Sequence, residues 1–259
     1  MTLVVTGAAS GIGLALVRRA VAAGHEVWAL DRNPCPEPDA RSVLCDLSDP
    51  DAIEAAELPS QVDMLANVAG VPGTAPADTV LAVNTLGMRL LTARCVGTMQ
   101  RGARIVNVAS VAAHRNTLGL PEIARLLEVT DRAGLRSWLD AHPLDGPAAY
   151  DTSKRAVLEW TSSLACHLIP RGIGVVSVSP GPTETPILAD FEASMGAASI
   201  DRSQAAVGRH GTADEIAAVV EFFLSPAASW TNGIDVPVEG GLFATRSALV
   251  SNPLKGLAS

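Results

Sequence analysis

Two side chains in the second half of the chain have the types and the spacing needed to move a proton. Tyr150 is the only tyrosine, and Lys154 follows four residues later, so on a helix both would lie on one face. A free phenol has a pKa of about 10, but a nearby ammonium group stabilises the phenolate and lowers that pKa. Ser110 follows an apolar strand pattern and could hydrogen-bond an oxygen on which charge develops. The set predicts acid/base chemistry on an alcohol or carbonyl, with Tyr150 as the acid/base.

The alternative is a helix-surface tyrosine beside a lysine that extends into solvent. That alternative leaves Ser110 unexplained, and it also leaves unexplained a glycine-rich turn near the start of the chain.

This glycine-rich turn joins an apolar strand pattern at residues 3–5 to a helical pattern that ends near Gly24. A tight turn, close approach of a ligand and close helix–strand packing each need a glycine here. A helix N-terminus offers unpaired N–H groups and partial positive charge, so a pyrophosphate is the natural occupant. Glycine-rich turns also occur without a ligand, so the motif depends on its context. The residues expected to contact a dinucleotide here are Gly7, Ser10, Gly11, Ile12 and Gly13.

The second predicted strand ends at Asp31, roughly 20 residues beyond the glycine turn, where a dinucleotide fold places an acid for the adenosine ribose. A carboxylate accepts hydrogen bonds from free ribose hydroxyls but repels a 2′-phosphate, which favours NAD over NADP. Asp31 could instead be an ordinary turn former, and Arg32 could stack on adenine or bind a phosphate. Asp46, followed by Leu47, could hydrogen-bond the adenine amino group or only begin the next turn.

Strand and helix patterns alternate along the chain, which predicts an α/β fold: one doubly wound parallel-sheet (Rossmann) domain over residues 1–259. Asn67, Ala69 and Gly70 follow the fourth strand, where small residues would let a ribose lie against the backbone, and Asn67 could also tie neighbouring strands together. Asn84 lies among apolar residues of a long helix and needs a partner there. The predicted strands are 3–5, 26–30, 42–45, 62–66, 104–109, 174–179 and 233–238, and the later helices are 49–58, 78–100, one from near Tyr150 to Leu168, and 212–224.

Composition and charge exclude several classes of function. The net charge of −8 disfavours binding to a nucleic-acid backbone, and no apolar run is long enough for a membrane span. We see no secretory signal, and four scattered cysteines favour free thiols in a reducing cytoplasm. No histidine or cysteine spacing indicates a metal site, and the five histidines are interpreted as structural or surface residues.

Taken in order, these motifs resemble the short-chain dehydrogenase/reductase family over nearly the whole chain. The resemblance implies hydride transfer with a nicotinamide cofactor, in which Lys154 also holds the nicotinamide ribose and Asn84 supports a water relay. It also implies cofactor contacts at Pro180, Gly181, Thr183 and Thr185. Residues 71–74 and 230–234 are similar to those of coniferyl-alcohol dehydrogenases. The arrangement is also similar to that of bacterial 3α-hydroxysteroid dehydrogenase/carbonyl reductases, which also carry extra helical sequence between the serine and the tyrosine.

Residues 111–149 form a longer connection than many members of that family have. Ile123, Leu126 and Leu127, then Leu135, Trp138 and Leu139, predict a helical hairpin inserted above the active site.

A long irregular segment, residues 182–211, is typical of a substrate loop, and residues 246–259 of a loosely held tail. Ile187, Leu188, Phe191 and Met195 follow at helical spacing and could cover an apolar substrate or simply pack a surface helix. The segment 182–201 has no Arg or Lys, which argues against an anionic substrate group bound by that segment.

The leading hypothesis is an NAD-dependent oxidoreductase of a hydrophobic ring-bearing alcohol or ketone. The alternatives are an NADPH-dependent carbonyl reductase and a nucleotide-sensing protein without turnover. We also expect a homodimer, or a larger homo-oligomer, joined through the helix at 212–224 and the last strand. In many relatives the helices that correspond to those of Asn84 and Tyr150 pair between subunits, and the hairpin would block that contact or remake it.

Overall fold

Seven parallel strands form the central sheet of the computed structural model, which describes residues 1–186, 188, 190, 193 and 204–248. The predicted doubly wound α/β fold is confirmed, with strand order β3-β2-β1-β4-β5-β6-β9 and every neighbouring pair parallel. The strands are β1 Thr2–Thr6, β2 Glu26–Asp31, β3 Arg41–Leu44, β4 Met64–Asn67, β5 Arg104–Val108, β6 Gly174–Pro180 and β9 Asp235–Val238; the two short strands β7 Thr183–Glu184 and β8 Gly211–Thr212 pair separately.

Helices cover both faces of the sheet, because strands such as β1 are apolar on both sides. Leu3 and Val5 pack toward one face with α1 and α8, and Val4 packs toward the other with α4 and α7. The helices are α1 Gly11–Ala22, α2 Pro50–Ala55, α3 Ala77–Leu81, α4 Met88–Thr98, α5 Leu120–Glu128, α6 Arg132–Ala141, α7 Gly146–Leu168, α8 Ala213–Leu224 and α9 Leu242–Ser247.

Some boundaries differ from the expected ones. Helix α2 ends at Ala55 and does not reach Leu58, because Pro59 disfavours helical backbone before it and Arg94 binds the carbonyls of Ile53 and Ala56. Thr212 forms the expected capping box with Glu215 at the start of α8. Helix α9 was not predicted, since a helix of six residues shows little periodicity.

The expected long helix over 78–100 is interrupted by a π-helical turn at Ala82–Gly87, between α3 and α4. The backbone of this turn approaches the backbone of Leu47 closely, since a Cβ on Gly87 would lie 1.9 Å from the Leu47 carbonyl oxygen. This close approach explains part of the geometry of the turn. The turn contains Asn84, whose side chain it directs at neighbouring backbone. Such turns occur often at functional sites.

The insertion contains two helices, α5 and α6, which lie against α3 and α7 of the same chain. Neither helix contributes a residue to the cavity at the carboxyl ends of the strands, above which the hairpin was expected. Leu126, Leu135 and Trp138 are buried in this contact, and Leu127 and Leu139 are partly buried. Arg132 binds Asp78 of α3 at 2.9 Å, which fixes the hairpin at its rim. The hairpin therefore covers the outer face of α3 and α7.

Three of the four apolar positions expected over the substrate (Ile187, Phe191 and Met195) and the tail beyond Ala248 lie outside the described residues. All four cysteines are free thiols, and two of them, Cys45 and Cys95, are buried. Within the described part of the chain, no helix combines the length and the apolar character that a membrane crossing requires.

Candidate active site

A cavity of about 760 Å³ opens at the carboxyl ends of the strands, where ligands bind in open α/β sheets. The structure brings nearly every predicted site residue into its lining. These residues are Gly7, Ser10, Gly11, Ile12, Gly13, Asp31, Arg32, Asp46, Leu47, Ala69, Gly70, Ser110, Tyr150, Lys154, Pro180, Gly181, Thr183 and Thr185. Asn67 and Asn84 are the two predicted residues that do not line it.

The glycine turn at one end of the cavity needs its glycines for conformation at two positions and for close packing at a third. Gly7 has φ +68° and Gly11 has φ +53°, and a Cβ on Gly13 would lie 2.0 Å from the Gly7 carbonyl oxygen. The first turn of α1 contains no acidic residue, and the Ser10 side chain forms no capping hydrogen bond. The N-terminus of α1 is therefore open to an anion, which fits the pyrophosphate of a dinucleotide.

Asp31 lies beside this turn at the end of β2. One carboxylate oxygen accepts the Ala9 N–H (3.1 Å) and the other accepts the Asn33 N–H (2.9 Å). A carboxylate has about four lone-pair sites, so each oxygen can accept one more hydrogen bond from the cavity. Asp46 accepts the Ser48 N–H at 2.8 Å in the next loop, which holds its carboxylate at the same end of the cavity.

Pro180 and Gly181 end β6, and Thr185 lies across from the glycine turn. A Cβ on Gly11 would lie 3.4 Å from the Thr185 Cβ. The Thr183 hydroxyl donates to the Gly181 carbonyl at 2.9 Å, which fixes the path of the chain out of the sheet. These residues close the cavity between its two ends.

Tyr150 and Lys154 lie one turn apart on α7, and both are buried. The Lys154 Nζ is 5.7 Å from the centre of the Tyr150 ring and donates to the Val108 carbonyl at 2.9 Å. Burial raises the pKa of Tyr150 to about 12, against a hydrogen bond from Ser110 that lowers it. Burial also lowers the pKa of Lys154 to about 8. The phenol is therefore a proton donor at neutral pH until further positive charge enters the cavity.

Ser110 follows β5 directly and caps a 3₁₀-helix at Val111–Arg115 by accepting the Ala112 N–H at 3.1 Å. The same hydroxyl hydrogen-bonds Tyr150. Two hydroxyl groups from different elements thus meet at one point in the cavity, as the sequence predicted. A substrate oxygen placed there could bond to both.

Asn84 forms hydrogen bonds behind the Ser110–Tyr150 pair, to the backbone of Val71 and to Ser153. Its Oδ1 accepts the Val71 N–H (2.9 Å), while its Nδ2 donates to the Val71 carbonyl and to the Ser153 hydroxyl (both 3.1 Å). Ser153 in turn donates to the Tyr150 carbonyl at 2.7 Å. A Cβ on Gly70 would lie 3.4 Å from both Asn84 Oδ1 and Lys154 Nζ, so the glycine keeps the space between these two polar groups open. The relay expected of Asn84 stays a prediction.

Asn67 lies below the cavity, in the sheet. Its Nδ2 donates to Asn107 Oδ1 (2.8 Å) and to Thr92 Oγ1 (2.9 Å), and Asn107 Nδ2 donates to Thr161 Oγ1 of α7 (2.9 Å). The predicted tie between neighbouring strands is confirmed. Its predicted contact with a cofactor stays a prediction, since the side chain points away from the lining.

Several residues that line the cavity were not predicted from the sequence: His114, Arg115, Phe243 and Arg246. His114 and Arg115 follow Ser110 by four and five residues and end the 3₁₀-helix that the serine caps, so their nearness to the serine was a usable signal for both. Phe243 and Arg246 come from α9, just beyond the carboxyl end of β9, where the rule for open sheets also places ligand contacts.

Two family profiles match this chain. The one described as short chain dehydrogenase matches residues 1–121, and the one described as Enoyl-(Acyl carrier protein) reductase matches residues 135–243. Together they leave out only residues 122–134, in the middle of the insertion, and residues 244–259 at the C-terminus.

Individual relatives match over almost the whole chain. Coniferyl-alcohol dehydrogenase of Pseudomonas sp. (strain HR199 / DSM 7063) is 36% identical, over 94% of this chain and 96% of its own. The 3-alpha-hydroxysteroid dehydrogenase/carbonyl reductase of Comamonas testosteroni is 30% identical, over 93% and 96%. The crystal structure of the 3-alpha-hydroxysteroid dehydrogenase from Pseudomonas sp. B-0831, complexed with NADH, superposes with a TM-score of 0.81 and 30% identity, over 96% of this chain and 100% of that one.

The buried ammonium group predicts a pH-dependent stability. Burial lowers the pKa of Lys154 from 10.5 to about 8. Between about pH 8 and pH 10.5 the unfolded chain therefore keeps a proton on Lys154 that the folded chain has released. The contribution of Lys154 to the free energy of unfolding consequently rises with pH. Relative to Lys154→Met, the free energy of unfolding of the unsubstituted protein should rise by roughly 2–3 kcal/mol from about pH 7 to about pH 10. Denaturant titrations of both proteins measure this, and a constant difference would place the ammonium in solvent.

Proposed function

This chain belongs to the short-chain dehydrogenase/reductase family, and from that premise we propose that it is an NAD-dependent oxidoreductase of a hydrophobic ring-bearing alcohol or ketone. One observation carries the proposal: Ser110, Tyr150 and Lys154 meet in the same cavity as an open glycine turn that fits a pyrophosphate. A bound nicotinamide would accept or supply the hydride.

The roles of the side chains follow from their contacts. In the oxidation, Tyr150 would take the hydroxyl proton of the alcohol, and a nicotinamide bound in the cavity would supply the hydride acceptor. Lys154 and the positive charge of such a ring would favour the phenolate, and Ser110 would hydrogen-bond the reacting oxygen. In the reduction Tyr150 returns the proton, which suits a phenol whose pKa burial raises to about 12.

An apolar wall supports a ring-bearing substrate. Val71, Leu188, Leu242 and Phe243 line the cavity beyond the Ser110–Tyr150 pair. The names of two relatives point the same way, since one acts on coniferyl alcohol and the other on 3α-hydroxysteroids. Apolar side chains with a few convergent polar groups are typical of sites for such molecules.

Asp31 supports NAD as the cofactor. Its two oxygens are held by backbone N–H groups and keep acceptor sites free on the cavity side, where ribose hydroxyls could donate to them. An NADPH-dependent reductase is the alternative that Arg32 favours, because its exposed guanidinium lines the same end of the cavity.

Tyr150→Phe should lower kcat by about a hundred- to ten-thousand-fold, because it removes the acid/base and little packing. A panel of sterols, cinnamyl-type alcohols and alicyclic alcohols, assayed with NAD, first identifies the best alcohol, and kcat is then compared on it. Affinity for NADH, measured by fluorescence titration, should stay near that of the unsubstituted protein. Retention of more than about a tenth of kcat would show that another group moves the proton.

Asp31→Asn should weaken the preference for NAD over NADP by roughly ten- to a hundredfold, because a hydrogen bond to a charged group is worth about 1.5–3 kcal/mol. The substitution keeps one carbonyl oxygen for the turn, and Arg32 then faces a 2′-phosphate without an adjacent carboxylate. The measurement is the ratio of kcat/KM for the two cofactors. Asp39→Asn, an exposed acid outside the cavity lining, is the matched control. Equal use of both cofactors by the unsubstituted enzyme contradicts the assignment.

A homodimer through α8 and the edge strand β9 is the assembly that we propose. Phe222 on α8, Trp230 in the next loop and Ile234 before β9 are large apolar side chains exposed by 49%, 99% and 47%. Exposed apolar side chains of this kind support an interaction site when they lie together. The hairpin already covers α3 and α7, so a helical interface there would have to displace it.

Trp230→Asp should convert the dimer into a monomer, because a carboxylate would have to be buried in the interface. Solution scattering at micromolar concentration reports the mass. Leu44→Asp, which changes a leucine exposed by 64% on the opposite edge strand, should leave the dimer intact. A monomeric unsubstituted protein contradicts the proposal.

A further inference from the structure

The substrate end of the cavity has a different charge from the rest of the molecule. The chain has a net charge of −8, but His114, Arg115 and Arg246 all line this end. We call these three residues the basic rim. The acids Asp31 and Asp46 lie at the adenosine end, which leaves Asp190 as the acidic lining residue nearest to the apolar wall among the described residues.

The basic rim joins two distant parts of the chain. The His114 ring packs edge-on against Phe243, with ring centres 4.9 Å apart. Arg246 follows Phe243 by three residues on α9, so their side chains leave the helix on neighbouring positions. The contact places Arg246 beside the 3₁₀-helix that begins at Ser110.

Charge pairing within the rim is uneven. Arg115 is held by Asp151, which accepts its Nε–H at 3.0 Å and its Nη2–H at 2.6 Å. His114 lies within electrostatic range of Asp235, a partly buried carboxylate that also accepts hydrogen bonds from the hydroxyls of Ser177 and Ser179. Arg246 forms no hydrogen bond or ion pair with any residue that the structure describes. Its guanidinium is therefore an exposed cation of the rim that no described residue neutralises.

A neutral hydrophobic substrate would cover this guanidinium without offering it an acceptor, which costs free energy. A carboxylate would instead accept two parallel N–H groups from it. The cofactor is not expected to supply that carboxylate or any other anion at the basic rim, because its pyrophosphate fits the N-terminus of α1 at the opposite end of the cavity.

We propose that the substrate carries a carboxylate at the end remote from its reacting alcohol, and that Arg246, with His114 beside it, binds this carboxylate at the mouth of the cavity. The inference deepens the proposed function, on which it rests for the reacting centre only. Residues 182–201 contain no Arg or Lys, so that segment is not expected to bind an anionic group. In the present proposal the cation comes from α9.

Titration calorimetry of the NAD-loaded protein tests this with two probes that differ only in their terminal group. 4-Phenylbutanoate and 4-phenylbutanamide share the ring and the chain, but only the first is an anion. The acid should bind about tenfold more tightly than the amide, because a charge-assisted pair at a partly open site is worth less than a buried one. The advantage should shrink as salt is raised.

Arg246→Met should bring the affinity for the acid down to that for the amide, and Arg246→Lys should restore part of the difference. Arg136→Met removes an exposed arginine of the hairpin outside the cavity and should change neither affinity. Any one of three results would overturn the proposal. The unsubstituted protein binds the acid and the amide with equal affinity, it binds neither probe, or Arg246→Met loses affinity for NAD and not for the acid. No probe is turned over, so these outcomes are separate from a failure of Tyr150 as the acid/base.

Discussion

The burial of one ammonium group beside one phenol is the constraint on which the rest of the structure depends. Lys154 is 5% exposed and Tyr150 7%, and taking a cation out of water costs several kcal/mol unless the protein supplies partners. The Val108 carbonyl at 2.9 Å and the Tyr150 ring at 5.7 Å are such partners. The contact with Val108 requires α7 to keep a fixed position against the end of β5.

Two networks of side-chain hydrogen bonds hold α7 in that position. The upper one runs from Ser153 through Asn84 to the backbone of Val71, and uses a π-helical turn to bring Asn84 within reach. The lower one joins Thr161 of α7 to Asn107 and Asn67 in the sheet, all buried. Hydrogen bonds between buried side chains are directional, so each network allows few alternative positions of the helix, although the Asn67 Oδ1 has no partner among the described residues. Rigid placement of α7 is what gives the serine, tyrosine and lysine a common site.

The sequence predicts those parts of the site that depend on local spacing. The i, i+4 relation of Tyr150 and Lys154, the glycine turn and the capping box at Thr212 all arise within a few residues, and the structure contains each of them. The buried position of Asn67 depends on a register that pairs it with Asn107 across β4 and β5, which no local pattern displays. Arg246 was missed for a related reason, since a six-residue helix offers too short a period to recognise.

The insertion shows how a local addition can change a site without changing its chemistry. It leaves the chain at Ser110 and returns at Tyr150, so both of its ends are fixed by the reacting centre. Arg115 and Asn116 near its start bind Asp151 and Thr152 of α7, which tightens the same helix that carries the phenol. Its hairpin buries apolar residues on the outer face of α7, while its first turn contributes His114 to the cavity. The insertion thus covers the outer face of α7 and also shapes the substrate end of the cavity. It can do both because these two regions lie on opposite sides of the N-terminus of α7.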